Sequence, residues 1–171
     1  MTVGAHLAQR KIGLVYGGGR VGLMGALADA VLANGGEAIG VIPRALMEKE
    51  IGHAGLTELR VVGSMHERKA LMGELADAFV ALPGGYGTLD EFCEVLTWGQ
   101  LGLHQKPCGL LNVDGYFNDL LGLFRRALRE GFLHPVHSTL VLTETDPDKL
   151  LTVLLESRPP RVDKWIGRAD V

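Results

Sequence analysis

At 171 residues, 47% hydrophobic and 22% charged, the chain has the size and make-up of one globular domain with a core to bury. A net charge of −3, from 17 basic and 20 acidic residues, excludes a general nucleic-acid surface, which needs clustered excess Lys and Arg. With no 18-residue apolar run and no signal peptide, the expectation is a cytoplasmic protein that does not engage a membrane.

The elements alternate along the chain. Ile12 to Tyr16 reads as a strand and Gly17-Gly18-Gly19 as the turn after it. Leu23 to Asn34 reads as a helix stopped by Gly35-Gly36. Glu37 to Ile42 is a strand halted by Pro43, and residues 44–58 form a loop with a short helical piece. Leu59 to Val62 is a short strand, Met65 to Leu75 a helix, Ala78 to Leu82 a strand and Leu89 to Leu101 a helix. Cys108 to Val113 is a strand. Tyr116, Phe117, Leu120, Leu121, Phe124 and Leu128 then make an apolar stripe at helical spacing, ended by Gly131. Thr139 to Thr143 is the last strand and Pro147 to Leu155 the last helix. This order predicts an α/β, Rossmann-like fold: one parallel sheet with helices on both faces, a single domain over residues 1–157 and a tail over 158–171. Cys93 and Cys108 lack C-x-x-C spacing and stand in apolar contexts, so both read as buried free thiols, and no metal site is implied.

In such folds ligands bind beyond the carboxyl ends of the strands, where three loops lie. The first, Gly17 to Gly22, fits G-x-G-x-x-G, with Gly18, Gly19 and Gly22 as candidate phosphate or nucleotide contacts. The acidic residue that NAD binding wants after the next strand is missing, since Ile42-Pro43-Arg44 stands there. A tight turn without a ligand is the competing reading. The second loop opens a helix with Ser64-Met65-His66-Glu67-Arg68-Lys69. Ser64 and Glu67 form a capping box, while Arg68 and Lys69 are either a solvated surface pair or a grip on an anion.

The third is Pro83-Gly84-Gly85-Tyr86-Gly87-Thr88-Leu89-Asp90-Glu91, a glycine turn between a strand and a helix. Free amides and the positive end of a helix dipole converge at such a turn and attract an anion. Two carboxylates beside it are foreign to a pure phosphate cradle. Thr88-x-x-Glu91 also reads as a capping box, which leaves Glu91 divided between helix cap and catalyst, and Asp90 reads as a dipole partner.

Taken together, Val15 to Gly19, Gly22 to Gly25, Ser64 to Lys69, Pro83 to Glu91, Thr97 to Gly102 and Lys106 to Tyr116 resemble the Lonely Guy (LOG) family of cytokinin-activating phosphoribohydrolases, often labelled "possible lysine decarboxylase". The resemblance covers roughly residues 8–155 and implies hydrolysis of the N-glycosidic bond of a cytokinin or adenine nucleoside 5′-monophosphate, without a cofactor, in a homodimer. It implies Arg68 and Glu91 as the catalytic pair. Substrate contacts are implied for Glu50, Met65, Lys69, Gly84, Gly85, Tyr86, Gly87, Thr88, Leu89, Asp90 and Thr97. It further implies a strand and a Gly-Ser-Ser loop ahead of residue 1, so the expectation is a trimmed or misassigned start rather than the loss of a central strand.

The chemistry fits independently of the name. Breaking this bond builds positive charge on the ribose, which a carboxylate stabilises while it orients or deprotonates water. The phosphate, remote from the breaking bond, positions the sugar. The alternative is a non-catalytic nucleotide or cofactor carrier of the same fold. Lysine decarboxylation fits poorly, since no segment resembles a pyridoxal phosphate Schiff-base lysine pocket.

Overall fold

The computed structural model describes residues 2–50 and 52–159, with their side chains save those of residues 48–50. Two compact units divide the chain, residues 1–76 and 77–171. The expected tail lies, from residue 160 onward, outside the described residues.

In the first unit, α1 (Val3–Gln9), capped by Thr2, leads to β1 (Leu14–Tyr16), α2 (Gly22–Ala33), β2 (Ala38–Pro43), α3 (Arg44–Glu50), β3 (Glu58–Val62) and α4 (Met65–Leu75). The strands form a parallel sheet in the order β1-β2-β3, with Leu14 beside Ala38 and Ile39 beside Glu58. The central strand β2 is the most apolar and the most buried, as a strand covered on both faces must be. Ala28 and Val31 of α2 join Val41 and Ile42 in the core. The helix then stops where Gly35 adopts φ 75°, open to glycine at little cost.

In the second unit, β4 (Phe79–Ala81) is followed by α5 (Tyr86–Gln100), β5 (Cys108–Leu111), a 3-10 turn at Val113–Gly115, α6 (Asn118–Arg129), a 3-10 segment at Pro135–Leu140, β6 (Val141–Glu144) and α7 (Pro147–Glu156). Its parallel sheet runs β4-β5-β6. Every residue of β5 is buried. Phe92 of α5, Leu110 and Phe117 pack one core, while Leu150 and Leu154 of α7 close over Gly109, where even a methyl group would crowd them. Asp146 caps α7 by accepting from the Lys149 N–H at 2.9 Å, with Pro147 in the first turn.

The expected α/β, Rossmann-like fold is present: among the described residues each unit holds a three-stranded parallel sheet flanked by helices. Periodicity fixes which residues are strands but not which strands pair at a sheet's edge. Among the described residues, β1 and β4 are both edge strands.

Candidate active site

The first unit brings the Gly17–Gly19 turn and the start of α4 together. Ser64 caps α4 by accepting from the Glu67 N–H at 3.1 Å. Glu67 returns the favour one residue earlier than the standard box, accepting from the Gly63 N–H at 2.7 Å. Its carboxylate is thereby committed to structure. Arg68, one residue on, is only 7% exposed, which removes the solvated-surface reading for this cation. Its guanidinium lies against Gly17 so closely that a Cβ there would overlap Nη2, and its Nη1 faces the Met65 sulfur at 3.7 Å. Met65 and His66 are exposed and Lys69 half-buried.

Gly17, Gly18 and Gly19 are themselves buried. Gly18 has φ 76° and accepts at its carbonyl from the His53 N–H at 3.1 Å, while Gly19 bridges Gly52. Much of the turn's backbone is therefore spent on its own chain, which favours the tight-turn reading of this G-x-G-x-x-G. Gly22 opens α2 with φ 69° in open space. His53 is buried, and its Nδ1 accepts from the Gly55 N–H at 3.2 Å. The proton must then sit on Nε2, which donates to Asp29 at 2.9 Å. Tyr16, at the end of β1, keeps a buried hydroxyl that has no hydrogen-bond partner among the described residues. Burial, and then the Asp29 carboxylate, push its pKa up to about 12. Glu50 belongs to α3, but its side chain lies outside the described residues.

The second unit holds the Pro83–Glu91 segment, and here the capping reading is corrected. The N-cap of α5 is Gly85, with φ −89° and ψ −153°, and no side chain among the described residues caps it. Thr88 is the third helical residue, so Glu91 lies well inside the helix and is not the partner of an N-cap threonine. Thr88 instead packs its side chain over Gly84, leaving no room for a Cβ there. Among the described residues, a Cβ on Gly85 or Gly87 would meet nothing within 4 Å, and neither glycine has a positive φ. Neither internal packing nor backbone conformation therefore requires glycine at these two positions. The amides of Tyr86, Gly87 and Thr88 lack intrahelical acceptors by the geometry of any helix start. Tyr86 is 94% exposed, Asp90 is exposed, Glu91 is half-buried, and Leu89 packs toward the Phe92 core.

Six residues on from Glu91, Thr97 falls about 120° around α5 at 3.6 residues per turn. Its hydroxyl donates to the Cys93 carbonyl at 2.8 Å. It lines a groove of about 170 Å³ with Cys93, Leu96, Gln100, Phe124 and Leu140. Cys93 is exposed, contrary to expectation, because it faces this groove rather than the core. Cys108 is buried as expected, and burial raises its thiol to about 12.

Sequence reasoning gave no role to the Tyr116 hydroxyl, which donates to the Gly84 carbonyl at 2.7 Å, nor to the Asp29–His53 pair. Both join residues far apart in the chain, where periodicity carries no signal.

A family model described as "Possible lysine decarboxylase" matches residues 24–154. A probable cytokinin riboside 5′-monophosphate phosphoribohydrolase of Oryza sativa subsp. japonica is 54% identical over 93% of this chain and 70% of its own length. Two cytokinin riboside 5′-monophosphate phosphoribohydrolases of Arabidopsis thaliana are 50% and 48% identical, over 93% and 96% of this chain and 73% and 76% of theirs. Among solved structures, the molybdenum cofactor binding protein of Rippkaea orientalis superposes with a TM-score of 0.66 at 22% identity, covering 90% of this chain and 82% of its own. The molybdenum cofactor carrier protein of Chlamydomonas reinhardtii gives 0.65 at 22%, covering 91% and 84%. At that identity the two structures bear on the fold alone.

Proposed function

We infer the activity from the family: the chain belongs to the possible lysine decarboxylase family, alongside the cytokinin riboside 5′-monophosphate phosphoribohydrolases, and it hydrolyses the N-glycosidic bond of a cytokinin or adenine nucleoside 5′-monophosphate. The products are free base and ribose 5-phosphate. The decarboxylase wording is a family label, and the named relatives are hydrolases. Residues 1–157 act as one functional domain on this reading, which the family match supports by running through both units.

The observation that carries the proposal is the start of α5. A helix whose first amides are uncapped, with glycines at its N-cap (Gly85) and second position (Gly87) that neither packing nor φ requires, is suited to a phosphate. Gly84, Gly85, Gly87 and Thr88 hold the 5′-phosphate in this reading, with Tyr86, Leu89 and Asp90 shaping the turn around it. Glu91 stands less than two turns further along the same helix and is released from the capping role that competed with catalysis. Its carboxylate stabilises the oxocarbenium-like ribose and directs water to the anomeric carbon. Arg68 supplies a planar cation for phosphate or leaving group, and its placement against Gly17 supports a positioned rather than a solvated role. Glu50, Met65, Lys69 and Thr97 complete the substrate contacts in this reading, while the turn at Gly18, Gly19 and Gly22 serves the fold.

No helix among the described residues is long and apolar enough to cross a membrane. We place the activity in the cytoplasm and in a homodimer. The homodimer is supported by exposed Leu101, Leu103 and Phe132 in the second unit. Light scattering of the purified chain reads its oligomeric state.

The deciding experiment incubates the protein with AMP and isopentenyl-AMP and measures free base. Glu91→Gln should abolish release while nucleotide binding persists. Near-normal turnover in that variant removes Glu91 from catalysis. Binding without product in the unsubstituted protein favours the carrier.

A further inference from the structure

We propose that Tyr116 is a positioning residue for phosphate recognition, holding the Gly84 carbonyl turned away from the anion. The proposal rests on the reading of the α5 start as the 5′-phosphate holder. After β5 the chain reverses through consecutive left-handed residues, Asp114 at φ 50° and Gly115 at φ 74°. Asp114 belongs to a residue type that tolerates this region, and Gly115 is free of its steric cost. Tyr116 follows at once; the residue is 55% exposed, and its anchorage lies in the residues beside it. Its ring meets the buried Phe117 edge-on at 5.1 Å. The Phe117 N–H donates to Asn112 Oδ1 at 2.7 Å, and Asn112 Nδ2 donates to Asn118 Oδ1 at 3.0 Å. From this base the hydroxyl reaches a carbonyl 32 residues away.

What that bond fixes is direction. In a planar trans peptide the C=O and the following N–H point opposite ways. With the Gly84 oxygen held by Tyr116, the Gly85 N–H faces away from the tyrosine, at the mouth of an uncapped helix. Thr88 covers the Gly84 α-carbon independently, so one glycine is held at two points. Without the hydroxyl, the Gly84–Gly85 peptide keeps only the Thr88 contact at its α-carbon and can turn. A carbonyl oxygen turned toward the amides of Tyr86, Gly87 and Thr88 would occupy their field and repel a phosphate. The tyrosine therefore sets selectivity for phosphorylated over unphosphorylated substrate without touching either.

The test compares the full-length protein with Tyr116→Phe, which keeps the ring on Phe117. Dissociation constants are measured by calorimetry for ribose 5-phosphate, which carries the anion, and for adenosine, which lacks it. Loss of one neutral hydrogen bond should weaken ribose 5-phosphate about 3–10-fold and leave adenosine unchanged. An equal loss for both ligands, or for neither, overturns the proposal, since a merely structural tyrosine would not separate them. Should Tyr116→Phe fail to fold, 3-fluorotyrosine at position 116 lets rising pH remove the donor. Ribose 5-phosphate affinity should then fall across the fluorophenol titration, and a flat profile overturns the assignment. The phosphoribohydrolase reading fails separately, by absence of free base from every nucleotide tried with the unsubstituted protein.

Discussion

Gly87→Ala sets helix stability against ligand binding in a single substitution. Gly87 is the second residue of α5, its φ is not positive, and a Cβ built there meets nothing within 4 Å among the described residues. The methyl group therefore brings no strain, and replacing a helical glycine by alanine should stabilise the fold by about 0.5–1 kcal/mol. For a chain of this size that raises Tm by roughly 1–4 °C. Helical Cα–Cβ bonds tilt toward the N-terminus, so the same methyl projects over the first-turn amides. If a phosphate sits there, displacing it from one charged hydrogen bond costs about 1.5–3 kcal/mol, or roughly 10–150-fold in affinity. The assay pairs a thermal melt with steady-state release of free base from AMP. A raised Tm with a raised KM is the expected result. A raised Tm with unchanged KM would refute the phosphate-holder reading, because the glycine would then serve no ligand.

Gly17→Ala should mimic an Arg68 variant, since its Cβ overlaps the guanidinium and the flexible arginine must give way. Its kcat/KM should fall to within about tenfold of that of Arg68→Ala, a coupling of roughly 1.4 kcal/mol or less separating the two, and unimpaired turnover would detach Arg68 from the reaction. Tyr16→Phe should raise stability by about 1 kcal/mol by removing a buried hydroxyl that has no partner among the described residues, and a lower Tm would show that the hydroxyl is satisfied. The unsubstituted protein should also lose stability as pH rises from about 10 to 12. The unfolded tyrosine gives up its proton near 10 and the folded one only near 12, so the stabilisation is complete below pH 10. In Tyr16→Phe this part of the alkaline loss should vanish in pH-dependent denaturation.

Much of the architecture was legible because its causes are local. The stop after α2 is written in Gly35, and the Ser64–Glu67 box marks the start of α4 to the residue. The same local rule failed at Thr88-x-x-Glu91. There Leu89 turns toward the Phe92 core and Thr88 packs on Gly84, so tertiary packing carries the helix back to an N-cap at Gly85. Arg68 was identifiable as a candidate but not as a buried group, because burial depends on a glycine 51 positions earlier that the strand-turn pattern only marks as small. Tyr116 was hidden for a similar reason: its ring belongs to an apolar stripe, and only the folded turn at Asp114-Gly115 gives its hydroxyl a target. The exposure of Cys93 follows from which face of α5 the core selects, and both faces of that helix carry apolar residues.

That last difference makes the protein chemically addressable. Of its two thiols, Cys108 is sealed in β5 while Cys93 opens onto the groove, so a thiol-reactive dye has one native point of attachment. Cys93 stands seven residues along α5 from its first residue, about 10 Å at 1.5 Å per residue, on a segment too short and regular to bend independently of the glycine turn. A fluorophore there becomes a ruler fixed to the helix that bears Glu91, able to report events at either end without altering a residue assigned to the chemistry.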